Sequence, residues 1–163
     1  MKARLRIALV LMVTSTTAAA GPHLHAQASL GDELRAQSLL TDSKYTAVHV
    51  NNPKQAVWTI ARHADPLGDF KVIVTIKDGM LITFVTVAEK AKIRRTPELD
   101  QRLLDMNHDY DYVKIGFDDD QDAYVRIDAR LRIVDGREMH DIIEQVERTS
   151  QTLYRTLQPY LIR

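Results

Sequence analysis

Polar and apolar positions alternate with a period of two through residues 70–77. Phe70, Val72, Val74 and Ile76 stand on one side, and Lys71, Ile73, Thr75 and Lys77 on the other. This is the pattern of a half-buried strand, because successive strand side chains point to opposite faces. Asp78-Gly79 follows, a pair suited to the positive φ angles of a two-residue hairpin turn. Residues 80–87 (Met80 to Val87) are rich in β-branched and aromatic side chains and are expected to pair back. Upstream, Ala56 to Arg62 reads as a first strand, with Trp58 and Ile60 on one face and Val57, Thr59 and Ala61 on the other. Before it, Tyr45 to Val50 reads as a short extended piece, and Asn51-Asn52-Pro53 as a turn. A second hairpin is expected from Tyr112 to Phe117 and Ala123 to Asp128, turned by the acidic stretch Asp118 to Asp122.

Between and around the strands the period lengthens to that of a helix. Asp32 to Leu40 reads as a short helix with Leu34, Leu39 and Leu40 as its apolar positions. Thr96-Pro97-Glu98 opens another: Thr96 can cap, Pro97 suits the first helical position, and Glu98 complements the positive helix end. Leu99, Leu103 and Met106 share its apolar face, and it should stop near Asn107. Asp135, Gly136 and Glu138 start a long last helix in a variant of the capping box. Its stripe is Met139, Ile142, Ile143, Val146, Ser150, Leu153 and Leu157, and Pro159 limits its end.

The predicted order is α-β-β-β-α-β-β-α. Strands joined by hairpins make an antiparallel sheet, and helices set between strand groups must cover one face of it. The expected fold is therefore α+β, a two-layer sandwich with a sheet of about five strands. The last helix is long for such a domain. Its distal residues Leu153, Tyr154, Leu157 and Tyr160 are expected to extend past the sheet and offer an apolar surface to a second copy or another protein.

The amino terminus changes the picture. Lys2, Arg4 and Arg6 precede the apolar run Ile7 to Val13, small residues fill Thr14 to Ala20, and no acidic residue appears before Asp32. A positive flank, a short apolar stretch and a small-residue cut site make a secretory signal peptide. Ala26-Gln27-Ala28 fits cleavage before Ser29; Ala18-Ala19-Ala20 fits cleavage before Gly21, beside an unfavourable Pro22. The first choice divides the chain into a leader, 1–28, and a single domain, 29–163, with periplasmic or secreted localisation expected. The leader holds three basic and no acidic residues. The 22 basic and 22 acidic residues of the whole chain thus become 19 against 22, a net charge of −3. Such a balance carries no electrostatic footprint for nucleic acid or for anionic membranes. With no cysteine, the chain has no disulfides, thiolate metal site, cysteine nucleophile or lipid-anchoring cysteine.

Candidate chemistry is thin. Asp118-Asp119-Asp120-Gln121-Asp122 could gather on a hard cation, yet it lacks the glycine and terminal glutamate of an EF-hand loop, and a solvated turn explains it. His140 and Glu144 stand four apart on the last helix beside Asp141, without a third ligand. His108, Asp109 and Asp111 could furnish a base, but no nucleophile or oxyanion hole accompanies them, and a helix terminus with its turn accounts for them. His23 and His25 follow Pro22, which has no N–H to give an amino-terminal copper site. Lys90, Lys92, Arg94 and Arg95 form a basic run on a connection, and Trp58 reads as core. No phosphate loop, Gly-x-Ser-x-Gly or His-Glu-x-x-His is present. No catalytic residue, metal or cofactor is expected.

Several local features resemble the YbjN-type family. They are the Leu39-Leu40 pair before Tyr45, the hairpin around Asp78-Gly79, the run Leu103-Leu104-Asp105-Met106-Asn107 before a strand, and Val113 to Asp128 leading through Asp135-Gly136 into a long helix. The resemblance spans about Asp32 to Pro159 and departs from the usual cytoplasmic member in its signal peptide. It implies a fold like that of type III secretion chaperones and a non-enzymatic protein described as a sensory transduction regulator. The expectation is an exported protein-interaction module, regulatory or chaperone-like, with a polypeptide or a second copy as partner. The alternatives are a periplasmic small-ligand or metal sensor and an enzyme of unrecognised type.

Overall fold

The structure, a computed structural model, describes residues 28–53 and 55–162. Residues 1–27, nearly all of the expected leader 1–28 and including His23 and His25, lie outside the described residues. Helix α1 is Leu30–Asp42, begun by a capping box in which Ser29 and Asp32 satisfy each other's backbone N–H. Its inward residues are Ala36, Leu39 and Leu40; the expected core residue Leu34 is 64% exposed. Strands β1 (Val48–Val50), β2 (Val57–Ala64), β3 (Gly68–Lys77) and β4 (Met80–Ala88) follow. Asp78 and Gly79 close the β3–β4 hairpin with φ of 52° and 72°, the mirror-image turn that matches strand twist.

Helix α2 is Pro97–Asp109, with Thr96 accepting from the Leu99 N–H. Strands β5 (Val113–Phe117) and β6 (Ala123–Arg130) form the second hairpin. Helix α3 is Gly136–Leu157, started by Asp135 accepting from the Glu138 N–H. All strand pairs are antiparallel, in the order β1-β2-β3-β4-β6-β5. Among the described residues the sheet thus has six strands where about five were expected, because Val48–Val50 pairs onto β2.

The register assigns each side chain to a face. Trp58 lies opposite Val74, Val74 opposite Thr83, and Thr83 opposite Ile127. This face also carries Ile60, Val72, Ile76, Leu81, Val85 and Val125, all buried under the helices. Trp58 Nε1 donates to Gln37 Oε1 of α1 at 2.8 Å. α3 lies over β4 and β6, α1 packs on α3, and α2 sits against β5. Burying each Leu or Ile of this layer contributes about 1.5–3 kcal/mol. Gly136 is needed where α1 ends on α3: a Cβ there would lie 2.5 Å from Asp42 Cβ.

Candidate functional site

The expected distal surface of α3 is not a surface. Leu153 and Leu157 are fully buried, Tyr160 is 6% exposed, and Tyr154 is half-buried against the core. The reason is length. The 22 residues of α3 span about 33 Å, little more than the strands beneath, so the stripe never runs off the sheet. Beyond it a short 3₁₀ turn, Gln158–Tyr160, folds the chain back, Leu161 bridges to Ile93, and Arg94 N–H donates to Tyr160 O.

The polar clusters are occupied by their own neighbours. His140 stacks on Tyr45 and shares a 3.0 Å hydrogen bond with Ser43 O through Nδ1, while Nε2 lies 3.5 Å from Glu144. Arg62 lies over the Tyr45 ring and donates twice to Glu147, whose carboxylate raises the guanidinium's pKa further; burial raises that of the Tyr45 phenol. This assembly seals the end of β2 against α3. In the acidic turn, Asp118 accepts from the Asp122 N–H and Asp122 from the Lys90 N–H. Of the basic run, Lys92 pairs with Glu89, and Arg95 pairs with Asp100 and lies over Phe117. His108, Asp109 and Asp111 are exposed around the end of α2. Among the described residues no three His, Cys, Asp or Glu side chains stand where they could hold a metal ion, and no helix is long and apolar enough to cross a membrane.

Two features remain that the sequence reading did not single out. The first is the sheet face turned away from the helices. An antiparallel sheet with one solvated face ordinarily alternates polar residues outward. Here the outward positions include Val50, Val57, Ile73, Ile82, Phe84 and Tyr124. Val48 and Val50 are 61% and 38% exposed, and Ile73, Phe84 and Tyr124 are half-buried. A hollow of about 380 Å³ lies over Ile82, Phe84 and Tyr124, with Arg126 and Asp118 at its margin. Beside it Asp128 accepts from Arg126 and Lys114. Desolvation pushes its carboxyl up, but the bonds from Arg126 and Lys114 prevail and hold it below the usual aspartate range. The signal was present in Ile73, Phe84 and Tyr124, which break the polar alternation of their strands.

The second feature is a split in the sheet. β3 and β4 are paired only from Lys77–Met80 to Ile73–Phe84. Beyond that, Gly68–Val72 stays on β2 while β4 follows β6 through an irregularity between Thr86 and Ala88. An extra residue in one strand of a pair bends that strand and disrupts the ladder locally. Between the parted strands lies a cleft of about 530 Å³, walled by Asp69, Lys71, Thr86 and Ala88, with Phe70, Val87, Tyr154 and Leu161 also lining it.

Among solved structures the chain is similar to a chain of the heterodimeric ExoU–SpcU complex from the type III secretion system of Pseudomonas aeruginosa. The identity is 15%, the TM-score 0.49, and the match covers 62% of this chain and 84% of that one. No family model matches the chain, and no curated protein matches it in sequence.

Proposed function

We propose that this protein is an exported, non-enzymatic polypeptide-binding module of chaperone-like character. One observation carries the reading: among the described residues the three α-helices serve one face of the sheet, and on the other face half-buried Ile73, Phe84 and Tyr124 stand around buried Ile82 with charged residues about them. Apolar surface on a stable domain, ringed by Lys71, Lys77 and the Lys114–Asp128–Arg126 network, is the composition of a protein-contact surface. His140, Asp118 and Asp122 are engaged in structural bonds. Export is supported by the charge and apolar pattern of residues 1–28.

The test places a photo-crosslinking amino acid at Phe84, on the bare face, or at Arg155, exposed on α3, in cells exporting the protein. Crosslinked polypeptides are expected from position 84 and not from 155, on a form whose first residue is Ser29. Equal or absent adducts at 84 refute the binding face; an intact Met1 on the protein in the periplasmic fraction refutes the export.

A further inference from the structure

We propose that the cleft between β3 and β4 accepts an extended polypeptide segment as an inserted strand, held main chain to main chain. The proposal rests on the polypeptide-binding reading and specifies where the client's backbone is held.

The argument begins at the hairpin turn. A two-residue turn makes Lys77–Met80 a hydrogen-bonded pair, so Ile73, Thr75 and Lys77 direct their N–H and C=O toward β4, and Met80, Ile82 and Phe84 direct theirs toward β3. The alternation continues along β3 past the last pair. Asp69 and Lys71 therefore turn their backbone groups into the cleft, as Thr86 does from the β4 side. Each wall is held extended by its outer neighbour: Gly68–Val72 by β2, and Val85, Thr86 and Ala88 by β6. The cleft is thus bounded by two preformed strand edges facing one another, and what complements such edges is a third strand.

The side chains define the class of segment. β3 and β4 are antiparallel, so an inserted strand runs parallel to one wall and antiparallel to the other. Its alternate residues fall on opposite faces of the sheet. Those on the helix side meet Phe70, Val87 and Tyr154, which suits apolar groups; those on the other side emerge beside Lys71, Ile73 and Thr86. Asp69 and Glu89 stand with Lys71 and Lys92 around the opening, so neither charge sign is favoured. The unpaired walls are five residues on β3 (Gly68–Val72) and four on β4 (Val85–Ala88). A short stretch alternating apolar and polar residues fits.

The test selects binders to the purified protein from a displayed library of random twelve-residue peptides. It then synthesises the best binder with single backbone N-methyl groups at each position in turn. An inserted strand uses its N–H groups on both edges. Methylation at both odd and even positions of the bound stretch should therefore weaken binding at least tenfold. Amide exchange at Asp69, Lys71 and Thr86, whose backbone groups face the cleft, should slow at least tenfold in the complex. A strand added to the outer edge of β1 would be sensitive at one parity only, and a peptide lying on the bare face at neither. Either pattern overturns the cleft while leaving polypeptide binding in place. Mass that rises with protein concentration, with the cleft amides protected in the absence of peptide, identifies a second copy as the occupant and also overturns the proposal. Selection of no binder at all overturns the polypeptide-binding reading and the cleft with it.

Discussion

Asn107 holds the outer edge of the sheet, and removing its side chain should open that edge. Its Nδ2 donates to Leu103 O at 2.8 Å and to Ile115 O at 2.6 Å, and its Oδ1 accepts from the Ile115 N–H at 2.9 Å. One amide thus does for β5 what a neighbouring strand would do, presenting a donor and an acceptor to the same residue. In Asn107→Ala, both Ile115 backbone groups lose their partner in a half-buried setting. Two net hydrogen bonds are worth about 1 kcal/mol each, and incomplete hydration of the freed groups adds up to about 1 kcal/mol more. Alanine's better helix propensity returns roughly 0.6 kcal/mol. The expected loss is about 1.5–2.5 kcal/mol, or roughly 5–9 °C in Tm for a domain of this size. Urea titration gives the free energy, and hydrogen exchange should show the Ile115 amide accelerated more than the amides of β3. Asn107→Asp separates the donor from the acceptor. Its carboxylate can still accept from the Ile115 N–H but repels the two carbonyls, so its deficit should shrink below about pH 4, where protonation restores a donor. A loss under about 0.5 kcal/mol in Asn107→Ala, with Ile115 exchange unchanged, would refute this account.

Other perturbations follow from the same geometry. Asp128 has a folded-state pKa below its unfolded value, so its contribution is present above about pH 4 and is lost as pH falls through the folded pKa; Asp128→Asn should flatten the acid limb of the stability curve. Thr83 is fully buried and its hydroxyl has no hydrogen-bond partner among the described residues; Thr83→Val should leave stability unchanged or raise it by about 1 kcal/mol in thermal unfolding, and a clear loss would mean the hydroxyl is satisfied. Ile143→Ala, at a fully buried α3 position, should cost about 2–5 kcal/mol by urea titration, and Leu153→Ala a comparable amount now that Leu153 is core. A far smaller cost for Leu153 would return the end of α3 to the surface.

Much of the fold was written locally. Asp78-Gly79, the Thr96 cap and the two alternating hairpins each specify their element within a few residues, and the structure places them as read; Asp135 caps α3 as expected, but Glu138 does not reach back to complete the capping box. What was not legible depends on partners distant in sequence. The extended piece around Val48–Val50 is too short and too exposed to declare itself a strand, and becomes one only by meeting Val57–Thr59. Leu34 has an apolar side chain but points away from α3, while the less conspicuous Ala36 allows the close approach. The stripe on α3 was read correctly as a stripe; its length relative to the sheet, which decides whether Leu153 and Leu157 are core or surface, is set by strands up to a hundred residues earlier.

The same division explains why the candidate site was the least legible part. A bare apolar face and a split between paired strands are relations among elements. From the sequence, residues 70–77 read as one regular strand and 80–87 as another. The cleft exists because each has a better partner on its other side, β2 for Gly68–Val72 and β6 for Val85–Ala88. The hairpin turn fixes their register at one end, they part at the other beside the irregularity at Thr86–Ala88, and α3 and the returning tail keep the core beneath closed with Tyr154 and Leu161. Loss of strand pairing there is compatible with stability because Val72 and Val85 remain buried under the helices. A sheet can stay open at one end only when its core is sealed independently of its hydrogen bonds, and that condition lets the cleft remain available to another chain.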